Sequence, residues 1–213
     1  NPLTSLRSAV ETLPIAKTES SRGRLMDVIQ HDVRRLDRLI TDISDASRLD
    51  AELARSEAEP VNLAKLIGAI VSMTNELGEP QGVEVLVNVQ PPPDGRALDQ
   101  AYAVMGQGSR LSQVFRNLID NARSFTAPGS KIHVRLRRSG AVIEARVEDS
   151  GPGIRPENLE RVFERFYTDR PEVSFGNNSG LGLAISRQIV EAHKGKIWAE
   201  NRMGRAAAQG ERA

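Results

Sequence analysis

Between Arg24 and Glu57 the chain carries neither Gly nor Pro, and apolar residues return at Ile29, Val33, Leu36, Ile40 and Ile43 in alternating steps of four and three. That is a heptad seam. A second apolar row at Leu25, Val28, Leu39, Ala46, Leu49 and Leu53 widens the stripe, while Asp32, Arg34, Arg35, Asp37, Arg38 and Asp42 occupy the other faces. The spacing predicts a helix of roughly 33 residues, about 50 Å long, more than a domain of this size can cover. Leu3, Leu6, Val10 and Leu13 predict a shorter helix before it, joined through a polar connection from Pro14 to Gly23. Two helices make a hairpin with one side bare, and a second copy of the chain would complete an antiparallel four-helix bundle.

After Pro60 the pattern shortens. Val61 to Leu77 reads as a helix, and Val83 to Val89 alternates as a strand until Pro91-Pro92-Pro93-Asp94-Gly95 interrupts it. Leu111 to Phe125 is again helical. Lys131 to Arg137 and Ala141 to Glu148 alternate on either side of Ser139-Gly140 as a hairpin, and Leu183 to Ala192 is a helix entered from glycine-rich sequence. The expected fold class is therefore α+β: a long helical hairpin over residues 1–57, then a mixed α/β unit over 58–213.

Composition narrows the chemistry. With no Cys among 213 residues there is no disulfide framework, thiolate nucleophile or Cys-based zinc site. About 46% of the residues are apolar, enough for a packed core. A formal net charge of +1 offers no general field for nucleic acid, so no nucleic-acid partner is expected. The longest apolar run, Leu66 to Val71, is far below the roughly 18–20 residues of a membrane helix. A start at Asn1 rather than Met suggests part of a longer chain, so membrane attachment is expected only through other segments.

Three constellations carry candidate chemistry. Asn117 and Asn121 share one face of the helix ending at Phe125, and two carboxamide oxygens could hold a hydrated Mg²⁺ already bound to phosphates. Asp149-Ser150-Gly151-Pro152-Gly153-Ile154 follows a predicted strand; its carboxylate could accept from an exocyclic amine such as that of adenine, although the same residues serve as ordinary turn chemistry. Gly176-Asn177-Asn178-Ser179-Gly180-Leu181-Gly182 runs into the last helix, where free N–H groups at a positive helix end can receive phosphate oxygens. Between the last two lies Phe163-Glu164-Arg165-Phe166-Tyr167, either a lid over a nucleotide or a packed loop.

In this order the motifs resemble the N, G1, F and G2 boxes of sensor histidine kinases, and Asn1-Pro2-Leu3-Thr4-Ser5-Leu6 resembles the end of an H box whose phosphoaccepting His lies four positions before the Asn. Phe166-Tyr167-Thr168-Asp169-Arg170-Pro171 with Asn178-Ser179-Gly180-Leu181-Gly182 is similar to the alphaproteobacterial ChvG/ExoS/BvrS type. The resemblance implies a dimerisation and phosphotransfer hairpin followed by a two-layer Bergerat-type ATP-binding sandwich. It implies ATP and Mg²⁺ as cofactors, a homodimer through residues 1–57, a response regulator receiver domain as partner, and a place as the cytoplasmic domain of an inner-membrane protein. Asp149 would read adenine, Asn121 and Asn117 would hold the metal, and Phe125 would pack near the base. The nucleotide site would also take in Arg123, Gly151, Gly153, Ile154, Phe166, Tyr167, Ser179, Gly180, Leu181 and Gly182, with Phe163 helping to anchor the lid. Asn1 would orient water for dephosphorylating the regulator.

Further features bear on this. Ser124 stands where the family often has a Lys, with Arg123 beside it. Hydrolysing relatives keep a Glu where this chain has Asn117, which predicts little ATP hydrolysis. His31-Asp32 imitates the first letters of an H box, but Arg35 takes the Asn position and no Pro follows. His133 in a strand and His193 at a helix end are read as structural, the latter as a cation favoured by the helix dipole. The alternative to a kinase is a catalytically degenerate, nucleotide-binding docking module.

Overall fold

The computed structural model describes residues 2–55, 57–77, 82–167 and 180–202. Helix α1 (Pro2–Thr12) is followed by a 3₁₀ turn (Leu13–Ile15) and by the 37-residue α2 (Glu19–Arg55), against which α1 packs. The connection is shorter than the sequence suggests. Thr18 receives the Ser21 N–H on its hydroxyl oxygen at 3.2 Å, a cap that starts the helix at Glu19. Gly23 therefore lies inside α2 rather than in a linker, with no atom near the position of a Cβ. An exposed helical Gly costs about 1 kcal/mol in propensity and breaks nothing by itself. In the hairpin Ala9 and Asp32 are buried, but Val33, Ile40 and Ile43 of the seam stay half exposed or more.

The segment expected to be one helix from Val61 divides. Strand β1 (Glu59–Asn62) precedes α3 (Leu63–Glu76), because the Asn62 side chain accepts the Lys65 N–H at 2.9 Å and caps the helix there. Strand β2 (Glu84–Val89) comes next, then α4 (Leu98–Ala101) and β3 (Ala103–Gly106), which pairs antiparallel with β1 in a two-stranded sheet. Helix α5 (Gly108–Phe125), the hairpin β4 (Lys131–Ser139) and β5 (Val142–Glu148), and α6 (Gly182–Ala192) complete the regular elements. The second sheet has the order β2-β4-β5, with β2 parallel and β5 antiparallel to β4.

Alternation along β4 decides which face is covered. Ile132, Val134 and Leu136 are fully buried, whereas Lys131, Arg135 and Arg137 are exposed and His133 sits on their side of the strand. Leu63, Ile67 and Val71 of α3 and Leu111, Phe115, Ile119 and Ala122 of α5 pack onto the buried face together with Tyr102. Each fully buried aliphatic contributes about 1.5–3 kcal/mol. The result is α+β: a helical hairpin, then helices layered on a mixed sheet. A second core, Val114 of α5 with Leu181, Ile185 and Ile189, holds α6 against α5. Among the described residues no helix is long and apolar enough to cross a membrane.

His193, which follows α6, ties the far ends of α5 and α6 together. Its Nε2 accepts the Gln107 backbone N–H at 3.0 Å at the start of α5, so Nδ1 carries the proton and donates to Ile189 O at 2.7 Å. The ring is thus a neutral bridge, not the dipole-facing cation the sequence suggests. Gly106 leaves room for it, since a Cβ there would lie 2.5 Å from His193 Cδ2. Nitrogen-15 NMR at neutral pH should show the Nδ1–H tautomer, and His193→Phe should destabilise the fold by about 1–3 kcal/mol; an imidazolium signal would contradict the bridge.

On the outer part of the sheet Glu144 receives Arg146 and Arg137, and Arg146 continues to Glu200 at 3.2 Å. These hydrogen bonds, Arg146's first and Arg137's second, hold the Glu144 carboxyl below the usual carboxylate range. A lowered folded-state value stabilises the protein above the unfolded value, and the contribution disappears as pH falls through the folded one. Glu144→Gln should therefore lose about 0.2–1 kcal/mol in urea unfolding at pH 7, and the gap from the parent should close in acid below the carboxylate range.

Candidate functional site

Asn117, Asn121 and Phe125 recur every four residues along one stripe of α5. Both ends of that stripe are anchored. Asn117 Nδ2 donates to Gly182 O at 3.0 Å, the carbonyl that also accepts the buried Ser186 hydroxyl at 2.8 Å. At the other end a Cβ on Gly151 would lie 3.0 Å from Phe125 Cβ and 3.1 Å from Phe125 O, so the turn after β5 approaches α5 as closely as it does because the residue is Gly. Asn121 lies midway, and its side chain makes no hydrogen bond among the described residues. Ser124 donates its hydroxyl to Asn121 O at 2.6 Å. Arg123 is half-buried and lies about 200° round the helix from Asn121, so the helix does not bring it onto the stripe.

The turn itself is built around Asp149. Its Oδ1 accepts the Gly151 N–H at 2.7 Å, while Oδ2 has no hydrogen-bond partner among the described residues. Gly153 adopts φ +84°, a left-handed conformation. Ile154 is held by a residue that sequence reasoning missed: its N–H donates to Asn201 Oδ1 at 2.8 Å, and Asn201 Nδ2 donates back to Ile154 O at 2.6 Å.

Beyond the turn run two 3₁₀ turns, Pro156–Asn158 and Arg161–Phe163. Phe163 is buried beneath Arg187 of α6, whose guanidinium lies 4.1 Å from the ring centroid and also bonds Glu160 at 2.9 Å. Arg161 lies over Tyr167 at 4.9 Å. Of the three aromatics expected to anchor this segment, Phe163 is packed and Phe166 is 60% exposed at φ +64°. The Phe166 N–H donates to Gly180 O at 3.0 Å, and a Cβ on Gly180, at φ +73°, would lie 2.9 Å from the Phe166 backbone. Residues 167 and 180 are thereby brought together. Ser179 and Asn1 lie outside the described residues.

Helix α6 starts beside Asn117. Leu181 O accepts the Ile185 N–H at 2.8 Å, so the N–H groups of Gly182, Leu183 and Ala184 have no acceptor within the helix and sit at its positive end. The Leu181 side chain belongs to the core. Because Asn117 gives its amide N–H to Gly182 O, its Oδ1 is turned away from that carbonyl. Together with the unengaged Asn121 amide this offers neutral hard oxygens, the donor type Mg²⁺ takes alongside phosphate. Among the described residues no cluster of three or more His, Asp or Glu offers a carboxylate-rich alternative.

Comparisons with known proteins show the family. Residues 1–52 match the His Kinase A (phospho-acceptor) domain, and residues 106–211 match the histidine kinase-, DNA gyrase B-, and HSP90-like ATPase family. Over 208 residues the chain is 57% identical to the sensor protein ChvG of Rhizobium meliloti (strain 1021), an alignment that covers 96% of this chain and spans 36% of that protein's length. Among solved structures, the mycobacterial sensor histidine kinase MprB is 32% identical with a TM-score of 0.54, over 66% of this chain and 83% of that one. The histidine kinase ThkA, solved in complex with the response regulator protein TrrA, shares the fold at a TM-score of 0.72 and 23% identity, over 95% of this chain and 55% of that one. With its asparagine stripe, aspartate turn and glycine-led helix in the family's order, the chain belongs to the sensor histidine kinases and is similar to their ChvG type.

Proposed function

We propose that the chain is the catalytic portion of a two-component sensor histidine kinase, which binds Mg²⁺-ATP, transfers the γ-phosphoryl group to a His of the dimerisation helix and relays it to an Asp of a response regulator receiver domain. The observation that carries this reading is the Asp149 carboxylate: one oxygen is used by its own turn, the other is left for a ligand, and the turn closes against the helix that bears Asn121. An exocyclic adenine amine donating to Oδ2 would complete that carboxylate. Gly151, Gly153 and Ile154 shape the wall beside the base, and Phe125 flanks it. The free N–H groups that open α6, with Gly180 and Gly182, suit the phosphates. Asn121 and Asn117 would hold Mg²⁺, whose chemistry there is to neutralise phosphate oxygens.

Asn117 also sets what does not happen. A carboxamide is no general base, and this one is committed to Gly182 O, so attacking water is not deprotonated at that position. The γ-phosphoryl persists until an imidazole lone pair forms an N–P bond while the bridging P–O bond breaks and ADP departs. The half-exposed seam residues Val33, Ile40 and Ile43 support a homodimer through residues 1–57, with 58–213 as the ATP-binding domain. The chain would be a cytoplasmic portion of a protein anchored in the membrane through other segments, with Asn1 taking the water-orienting role of the H box.

The test uses the chain extended upstream to include the H-box His, mixed with labelled ATP and Mg²⁺. Acid-labile phosphoimidazole should form faster than free phosphate, and Asn121→Ala should reduce incorporation more than about tenfold. Steady phosphate release without phosphoimidazole would make the chain a hydrolysing ATPase, and ATP binding without transfer would make it a docking module; either result overturns the kinase reading.

A further inference from the structure

The wall of the candidate pocket that carries Asp149 is not held by its own strand alone. The backbone leaves β5 at Glu148, and among the described residues no ladder bond fixes Ile154. Its N–H and C=O are instead both taken by one side chain, Asn201, at 2.8 and 2.6 Å, from a segment 47 residues further along the chain. A carboxamide offers an acceptor and a donor on the same planar group, and so it can mimic a strand neighbour. Gly153 fits both demands: its φ of +84° is open to Gly, and a Cβ there would lie 3.0 Å from Asn201 Oδ1.

We infer that Asn201 is a positioning residue that sets the Asp149 turn and thereby the selectivity for the base, an inference that rests on the nucleotide-binding reading above. The chain of contacts is short. Asn201 fixes Ile154; Gly153 and Gly151 link Ile154 to Asp149; and Gly151 is pressed against Phe125 on α5. With Ile154 released, the turn keeps the bond from Gly151 to Asp149 Oδ1 but loses its second fixed end. The Oδ2 that would read an exocyclic amine then no longer holds one position. Among the described residues the hydrogen bonds of Asn201 go to Ile154 and none goes to α6 or Asn117, on which the phosphate side is built, so the loss falls on the base and spares the triphosphate.

Asp is nearly isosteric with Asn and keeps the acceptor, but it replaces the donor by an oxygen facing the Ile154 carbonyl. A residue that merely fills space is rescued by Asp; one that works through the paired hydrogen bond is not. Calorimetry on the full chain with Mg²⁺ would compare ATP with inosine triphosphate, which lacks the exocyclic amine, for the parent, Asn201→Ala, Asn201→Asp and Glu200→Gln. The parent should prefer ATP. Both Asn201 variants should lose about tenfold in ATP affinity while inosine triphosphate stays within about twofold, and Glu200→Gln, which cuts only the neighbouring ion pair to Arg146, should keep the parental ratio. Rescue by Asp, or a parallel fall for both nucleotides together with the melting temperature, would overturn the positioning role while leaving the nucleotide reading intact. A parent that binds neither nucleotide would overturn both.

Discussion

The hydrogen bond from Asn117 Nδ2 to Gly182 O, 3.0 Å long, joins the two helices between which the candidate pocket opens. It fixes the start of α6 beside the middle of α5, and the buried Ser186 hydroxyl on the same carbonyl leaves that junction little freedom. The apolar contacts of Val114 with Leu181, Ile185 and Ile189 bring the helices together but are non-directional. Directional bonds, at Asn117 on one end and His193 on the other, set the register. With that register in place, the start of α6 lies beside Asn117, on the same stripe of α5 as Asn121 and the Phe125 that the Asp149 turn meets.

Much of this is legible in the amino-acid order because the signals are local. The period of α5, the alternation of β4 and β5 about Gly140, and the glycines before α6 each write their element into one short contiguous stretch of the chain. The two Asn on one face and the Asp after a strand follow from the same periodicities. Their meaning came from their sequence order, since each taken singly is equally an ordinary helix face or turn.

What stayed hidden depends on distant partners. Strand β1 reads as helix because Val61 stands in helical step with Ala64, Ile67 and Val71, and its pairing with Ala103–Gly106 leaves no mark nearby. Gly23 looks like a breaker, yet it sits on an open helix face downstream of a Thr18 cap. Asn201, Arg187 and His193 resemble any surface polar residue until Ile154, Phe163 and Gln107 are seen against them. The one available hint was glycine: Gly106, Gly151, Gly153 and Gly180 each mark a place where another group passes too close for a Cβ or where φ is positive.

Nucleotide recognition in this chain rests on a single carboxylate whose second oxygen awaits a donor. Calorimetric titration of the chain with Mg²⁺-ATP, set beside the same titration of Asp149→Asn, tests it most directly. The parent should give measurable heat and the variant an affinity at least about tenfold weaker, as expected for losing a hydrogen bond to a charged group. Equal affinities for the two proteins, or no heat with either, would contradict it.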